Sequence, residues 1–290
     1  MKITEQQSGY NADTRSQWKL FENHRRLTTQ TICDAKKYLP LTRAQPTIAI
    51  LGAGNGNDLE LQTIADSYSK IHLFDFDPNA LEHLKSRHLG EGNSISNSVV
   101  IEPLVDLSGI CAQLDKLPAE LTEPWILELA DEARQAKNVL PDRQFDVVVS
   151  TCLTTQLLAS IVHSIGDDSP FKNFMMIAIR DGHLKLMDNL ISPGGAGVLI
   201  TDFVSSDTLP ELATADTTES VLATARKAID ERNFFTGANP WAIKDAVAKL
   251  IAEDPFEPWS IAPPWRWQIG ERRSYLVTAI SFSKPTQPKQ

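Results

Sequence analysis

Cysteine is scarce in this 290-residue chain, and long apolar runs are absent. The cysteines at positions 33, 111 and 152 lie far apart and form no CxxC pair. They imply neither a disulfide framework nor a metal site, and they fit a reducing compartment. The apolar runs at 48–51 and 174–179 are too short to span a bilayer, and the first 17 residues lack the apolar stretch of a signal peptide. We therefore expect a cytoplasmic protein with no membrane segment and no metal.

Basic residues are also in deficit. The chain has 28 Lys and Arg against 37 Asp and Glu, a formal net charge of −9. A nucleic-acid partner is disfavoured because binding phosphates requires a basic surface. We expect a small-molecule or peptide substrate instead, while the oligomeric state stays undefined. The length and ordinary composition predict a globular fold with one elaborated domain or two small ones.

The hydropathy pattern alternates between short buried strands and amphipathic helices, which is typical of a doubly wound α/β sheet. One or two helices are predicted over 13–38, before any strand. Strands are then predicted at 47–51, 70–77, 98–105, 145–153 and 196–204, and helices at 58–68, 78–89, 178–190, 219–231 and 240–253. Two extended runs separated by a charged turn, WRWQIG and SYLVTAISF, predict an antiparallel pair at the C-terminus.

The sequence LGAGNGNDLEL, residues 51–61, follows a predicted buried strand and precedes a helix. Glycines at 52, 54 and 56 allow a sharp turn and let a ligand approach the backbone, which indicates a nucleotide-like ligand. A dinucleotide fingerprint would place its third glycine at position 57, where this chain has Asn57. The GxGxG spacing is instead the form found where S-adenosylmethionine binds.

With these residues the sequence resembles the class I, Rossmann-like S-adenosylmethionine-dependent methyltransferases from about Thr47 to Phe282. Besides the glycine loop, the resemblance rests on LFDFDPNAL, on PLVDLSG and on ISPGGAGVLITDF. It implies a doubly wound, seven-stranded, mostly parallel sheet with a C-terminal antiparallel strand pair. We expect an N-terminal helical cap over 1–45, and a methyltransferase domain over 46–290 with insertions near 108–143 and 205–258.

The resemblance also implies S-adenosylmethionine as cofactor and a set of residues that bind it. Asp75 ends the second strand, where its carboxylate can accept hydrogen bonds from both ribose hydroxyls. Phe76 and Leu107 offer apolar surfaces to the adenine, and Asp106 can accept from its amine. The remaining positions are Gly52, Ala53, Gly54, Asn55 and Gly56 in the loop, and Thr151 and Cys152 beside the methionine portion and the sulfonium.

The chain departs from the family pattern in two places. Many members have an acidic residue two positions before the first glycine, where this chain has Ile50. Asp58 is a candidate substitute for anchoring the amino group, and its alternative role is an N-terminal helix cap. The fourth strand ends in STCLTTQ rather than an NPPY-type sequence, which counts against a nucleobase or glutamine amide as the acceptor.

Residues that act on the methyl acceptor are harder to identify, because transfer from a sulfonium needs positioning more than an obligatory base. His24 and His163 are the candidate bases. In the N-terminal cap, Tyr10, Trp18 and Arg25 are candidate substrate residues, and Arg25 or Arg26 would suit an acceptor that carries a carboxylate or phosphate. The alternative role of this aromatic and basic cluster is to dock the helix on the sheet. Gln156, Phe235 and Trp241 complete the set, the last two as walls of an apolar pocket or as ordinary core residues.

These observations predict a methyltransferase that transfers a methyl group to oxygen or nitrogen of a small molecule or peptide. An NAD(P)-dependent Rossmann oxidoreductase is the first alternative, and it requires a glycine spacing that is absent. An aminopropyltransferase normally carries acidic residues after the fourth strand, where STCLTTQ has none. A non-catalytic binding subunit with the same fold is the third alternative.

Overall fold

The computed structural model describes residues 3–90, 92–136, 139–251, 260–271 and 273–286. The helices are α1 (Ile3–Thr14), α2 (Glu22–Asp34), α3 (Leu61–Ala65), α4 (Pro78–His88), α5 (Cys111–Leu114), α6 (Glu123–Gln135), α7 (Leu153–Ile165), α8 (Lys172–Leu190), α9 (Thr218–Asp230) and α10 (Pro240–Ile251). Short 3-10 helices cover Ala35–Tyr38 and Pro210–Thr214. The strands are β1 (Thr47–Leu51), β2 (Lys70–Phe74), β3 (Val99–Glu102), β4 (Phe145–Thr151), β5 (Ile191–Ser205), β6 (Ser260–Ile261), β7 (Trp265–Gln268) and β8 (Ser274–Ser283).

The strands form one sheet in the order β3-β2-β1-β4-β5-β8-β6, and β7 also pairs with β8. The first five strands are parallel, while β8 runs antiparallel to β5 and to both β6 and β7. Because β6 and β7 pair with successive parts of β8, they act as two halves of one interrupted strand, and the sheet is seven strands wide. The predicted α/β fold class, its mostly parallel sheet and its C-terminal antiparallel pair are confirmed.

The alternation of side chains along β1 shows how the sequence fills both layers. Ile48 and Ile50 pack on one face of the sheet, and Ala49 and Leu51 pack on the other. All four side chains are fully buried. Both faces of a parallel strand are covered by helices, so its apolar residues run without polar interruption. Because these strands run parallel, the carboxyl ends of β1, β2, β4 and β5 lie at one edge of the sheet.

The N-terminal helices pack over this edge and the adjoining face. α1 contacts α4, α5 and α7, and α2 packs against α3 and β7. The Ile3 backbone N–H donates to Asp115 Oδ1 at 2.9 Å, which ties the start of the chain to the segment after α5. Asn11 Nδ2 donates to Asp77 Oδ2 at 3.2 Å. Asp77 also caps α4, accepting from the Asn79 backbone N–H at 3.0 Å.

Several predicted boundaries were wrong. α7 was not predicted, and it begins directly after β4, because Cys152 reverses the chain in the left-handed conformation at φ 47°. The helix predicted over 58–68 is a single short helix, α3, and the strand predicted over 98–105 covers only β3. The helix predicted over 240–253 corresponds to α10. Positions 252 and 253 of that prediction lie outside the described residues. Within the described ranges, no helix is both long enough and apolar enough to cross a membrane.

Candidate active site

A cavity of about 620 Å³ opens at the carboxyl edge of the sheet. It is lined by the glycine loop after β1, by the start of α7 and by α1, and also by residues from β5, β7 and β8. Ligands of open α/β sheets bind in the crevice outside the carboxyl ends of the strands, which is where this cavity lies.

The glycine loop is built for backbone geometry that other residues resist. Gly52, Gly54 and Gly56 have φ angles of 78°, 49° and 69°, all in the left-handed region. A Cβ on Gly56 would lie 2.8 Å from two side-chain atoms of Leu84. The loop therefore packs tightly below and presents its backbone to the cavity.

Asp75 connects this loop to the end of β2. Its Oδ2 accepts the Gly54 backbone N–H at 2.8 Å, and its Oδ1 accepts the Asp77 backbone N–H at 2.9 Å. A carboxylate offers about four acceptor positions, so these two hydrogen bonds leave capacity for donors from a ligand. Asp75 borders the cavity, and it fits a pair of ribose hydroxyls.

Burial raises the pKa of Asp75 from its ordinary value of 3.8 to about 6. The backbone N–H groups of Asp77 and Gly54 stabilise the ionised form, and they offset only part of the desolvation. At neutral pH the Asp75 carboxylate is still ionised, but burying its charge costs folding free energy. A ligand that donates hydrogen bonds to it would reduce that cost.

Phe76, Asp106 and Leu107 lie together in a smaller pocket that shares Asp75 with the main cavity. The free volume there is about 20 Å³, which is too small for a purine ring unless lining side chains, among them Gln7 and Gln156, move aside. Asp106 accepts from the backbone N–H groups of residues 108, 109 and 111 and from the Ser108 hydroxyl. An adenine amine would have to share this carboxylate with the turn before α5.

Two asparagines of the glycine loop bind the α1 backbone. Asn55 Nδ2 donates to the Asn11 carbonyl oxygen at 2.6 Å, and Asn57 Nδ2 donates to the Thr14 carbonyl oxygen at 2.7 Å. The Oδ1 atoms of both asparagines are buried and have no hydrogen-bond partner among the described residues. Buried polar atoms of this kind are normally satisfied, so they indicate a ligand or water at the loop.

Thr151 and Cys152 lie where β4 turns into α7. The Thr151 hydroxyl donates to the Gly52 carbonyl oxygen at 2.8 Å and so fixes the start of the glycine loop. Cys152 is buried, and burial together with the negative charges of Asp202 and Asp58 raises the pKa of its thiol. The thiol is therefore neutral, as expected for a packing residue rather than a nucleophile.

Asp58 faces the cavity and is not a helix cap, since Glu60 occupies the cap position of α3. His24 Nε2 lies 3.4 Å from Asp58 Oδ1. His24 Nδ1 accepts the Trp265 indole N–H at 3.0 Å, and the imidazole stacks on Trp267 with 4.4 Å between ring centroids. His24 is 2% exposed and does not line the cavity. The structure therefore does not bring His24, a candidate base predicted from the sequence, to the cavity surface; its imidazole contacts Asp58, which does line the cavity.

The structure also separates three other candidates from the cavity. His163 is exposed on α7 and is not among the lining residues. Arg25 is buried, and its guanidinium donates to Glu60 Oε1 at 2.5 Å and to the carbonyl oxygens of Trp18 and Asn57. Trp18 stacks on that guanidinium at 3.5 Å. Arg25 and Trp18 therefore brace the glycine loop and do not reach an acceptor in the cavity.

The other predicted substrate residues divide in the same way. Tyr10, Gln156 and Phe235 line the cavity. Trp241 is 43% exposed and packs against Phe234, 6.2 Å between centroids, away from the cavity. The predicted pocket wall at 233–243 thus contributes Phe235 but not Trp241.

Sequence analysis missed Asp202, which lies in β5 and lines the cavity at 5% exposure. Its carboxylate accepts the Thr155 hydroxyl at 2.6 Å, and burial raises its pKa to about 6. The signal was present in ITDFV, since Asp202 lies near the cavity end of β5 as Asp75 does at the end of β2. The aromatic residues Phe21, Trp267 and Tyr275 were also missed, because their approach depends on the fold.

The strand order and the glycine loop at the end of β1 together give the fold of the class I S-adenosylmethionine-dependent methyltransferases. No protein-family model matches the sequence, and no curated protein sequence matches it.

Among solved structures, the chain is similar to a putative S-adenosyl-L-methionine-dependent methyltransferase from Methanococcus maripaludis, at 11% identity and a TM-score of 0.47, over 100% of this chain and 97% of that one. It is also similar to TehB from Haemophilus influenzae, at 13% identity and a TM-score of 0.41, over 88% and 62%. Human N-acetylserotonin methyltransferase in complex with SAM shows 13% identity and a TM-score of 0.39, over 97% and 57%. All three TM-scores are below 0.5, so the fold assignment rests on the strand order itself.

Proposed function

We propose that this protein is an S-adenosylmethionine-dependent methyltransferase acting on a small-molecule or peptide acceptor, at oxygen or nitrogen. One observation carries the proposal. The glycine loop and the buried Asp75 carboxylate are joined by the hydrogen bond from the Gly54 backbone N–H, at the edge of a 620 Å³ cavity. This arrangement supplies a close backbone approach and an acceptor for a ribose diol in one place.

The residues that would hold the cofactor follow from their positions around the cavity. Asp75 would accept from the ribose hydroxyls, and Phe76, Asp106 and Leu107 would bind the adenine. The loop from Gly52 to Gly56, together with Asp58, Thr151 and Cys152, would surround the methionine portion. When bound, S-adenosylmethionine supplies a methyl group on a positively charged sulfur.

The contribution of the protein is mainly positional. Asp58 is a carboxylate that lines the cavity beside the loop, with His24 Nε2 3.4 Å from its Oδ1, and it suits an ammonium group. α1 covers the loop and limits the access of water to the cavity. Holding the acceptor in line with an already activated donor supplies much of the acceleration.

Calorimetry with S-adenosylmethionine, S-adenosylhomocysteine and NAD tests the proposal. We expect micromolar binding of the first two and none of NAD. Asp75→Ala should weaken S-adenosylhomocysteine binding roughly tenfold or more, because two hydrogen bonds to a charged acceptor are lost. Asp66→Ala is the control, since Asp66 is exposed on the surface after α3.

Two results would contradict the assignment in different ways. Unchanged affinity in Asp75→Ala would remove the ribose role of this carboxylate. Binding of NAD in preference to S-adenosylhomocysteine would favour the oxidoreductase. Incorporation of isotopic methyl into fractions of a cell extract would then separate an active methyltransferase from a binding subunit and would identify the acceptor fraction.

A further inference from the structure

Four aromatic side chains form a continuous row along one wall of the cavity. Phe21 meets Trp267 edge-on at 5.2 Å between centroids, Trp267 lies 5.6 Å from Tyr275, and Tyr275 meets Phe235 at 6.0 Å. All four line the cavity and are called the aromatic row below. Aromatic faces attract both apolar groups and cations.

Asp202 brings a carboxylate to the same cavity. Its side chain is held by the Thr155 hydroxyl at 2.6 Å, and its charge acts on the phenol of Tyr275 in the aromatic row. Burial is the main cause of the raised pKa of Asp202, and the charges of His24 and Arg273 lower this pKa only in part. Among the described residues no cation forms a salt bridge with Asp202, and a buried carboxylate of this kind is stabilised by a cationic ligand that reaches it.

The cations that line the cavity among the described residues are already paired. Lys172 Nζ lies 2.6 Å from Asp167, and Arg273 Nη2 lies 2.7 Å from Asp207. Both acidic partners are largely exposed, so these pairs lie toward solvent. The inner part of the cavity therefore presents net negative charge from Asp58, Asp75 and Asp202 to a ligand.

We propose that the methyl acceptor is a basic amine carried on an aromatic or apolar body, which Asp202 binds through its ammonium group while the aromatic row packs the body. This rests on the proposed function. It narrows the acceptor atom, which the proposed function leaves as oxygen or nitrogen, to the nitrogen of a basic amine. Asp75 and Asp58 serve the cofactor, and Asp202 is a further buried carboxylate that lines the cavity, so it is assigned to the acceptor.

In the proposed reaction, Asp202 takes up the proton that the ammonium group must lose before methyl transfer. An ammonium has no lone pair, so the amine first gives one proton to the Asp202 carboxylate. The amine nitrogen then forms a bond to the methyl carbon as the carbon–sulfur bond breaks, and that electron pair stays on sulfur. The products are a methylated ammonium and a neutral thioether, and the proton on Asp202 leaves to solvent. Burial raises the pKa of the Asp202 carboxyl to about 6, which makes it a better acceptor for this proton than an ordinary aspartate and still lets it release the proton at neutral pH.

Binding measurements on the full chain with saturating S-adenosylhomocysteine test the proposal without turnover. The probes are phenethylamine and tryptamine, each compared with the alcohol and the carboxylic acid of the same carbon skeleton. We expect each amine to bind at least tenfold more tightly than its alcohol and its acid. Equal affinity within each set, or tighter binding of the acids, would overturn the proposal.

Asp202→Asn keeps the shape of the side chain and removes its charge. It should weaken amine binding at least tenfold and leave the affinity for S-adenosylhomocysteine within twofold. Asp131→Asn is the matched control, because Asp131 is exposed on α6 and carries the same charge change. Thr155→Val, which removes only the hydroxyl that orients Asp202, should show a smaller loss of the same kind.

The outcomes separate this proposal from the one on which it rests. If S-adenosylhomocysteine binds but Asp202→Asn leaves amine affinity unchanged, the amine assignment is wrong and the methyltransferase stands. If S-adenosylhomocysteine does not bind at all, both fail. If Asp202→Asn does not fold, the comparison of amines, alcohols and acids on the parent chain still decides the question.

Discussion

Asp202→Asn should make the ligand-free protein more stable, and the gain should depend on pH. Burial raises the Asp202 pKa from 3.8 to about 6, so folding at neutral pH forces an ionised carboxylate into an unfavourable site. Such a group contributes stability below pH 3.8, and that contribution is lost as the pH rises through 6. Asparagine avoids the loss and can still accept the Thr155 hydroxyl.

The size of the gain follows from the two pKa values. Each pH unit between them is worth 1.36 kcal/mol, so the ionised carboxylate costs about 3 kcal/mol at pH 8. At pH 5 the folded state is largely protonated at Asp202, and the cost falls to about half of that. Asp202→Asn should therefore gain about 3 kcal/mol at pH 8 and roughly half as much at pH 5.

Urea unfolding at the two pH values measures this difference. Asp131→Asn is again the control and should change stability by less than about 0.5 kcal/mol at either pH, as exposed substitutions do. An equal effect of Asp202→Asn at pH 5 and pH 8 would refute the reasoning, since only titration of the carboxylate creates the pH dependence. Loss of stability at both pH values would show that His24 and Arg273 compensate the negative charge of Asp202 in full.

Three further predictions concern the glycine loop and the helices around it. The affinity for S-adenosylhomocysteine, measured by calorimetry, should fall about tenfold between pH 8 and pH 5. The reason is that the ribose hydroxyls favour the ionised form of Asp75, whose pKa is about 6 in the free protein. An affinity that does not change with pH would contradict this. Arg25→Ala should cost about 3 kcal/mol in urea unfolding, because it leaves the buried Asn57 carbonyl oxygen unpaired and removes the ion pair with the partly exposed Glu60, while exposed Arg26→Ala should be neutral. Gly182→Ala should cost about 3 kcal/mol, because its Cβ would lie 1.9 Å from the Ala133 carbonyl oxygen, whereas Gly9→Ala meets nothing within 4 Å and should gain up to about 1 kcal/mol.

Features that depend on the order of short segments were predictable from the sequence. Asp75 could be located because a carboxylate at the end of a buried parallel strand must reach the carboxyl edge of the sheet. The glycine spacing in 52–56 likewise encodes a local backbone shape. Its three left-handed φ angles are properties of the segment itself, so the sequence suffices to predict them.

Features created by distant contacts were not predictable. His24 looks like a candidate base beside Arg25, but its partner Trp265 lies 241 residues away. Arg25 looks available for a ligand, yet Glu60, 35 residues away, binds it. α7 was missed because its start depends on Cys152 adopting the left-handed conformation, for which a cysteine gives no signal.

A shifted pKa alone does not distinguish site residues from packing residues in this protein. Burial lowers the pKa of His183 to about 4, and this neutral imidazole hydrogen-bonds Ser150 at 2.8 Å within the core. Asp75 and Asp202 are also buried, but both face a cavity large enough for a ligand. A neutral histidine stabilises the core at physiological pH, whereas an ionised aspartate destabilises it. The two aspartates are therefore the buried groups whose cost to folding is best explained by ligands that donate to them.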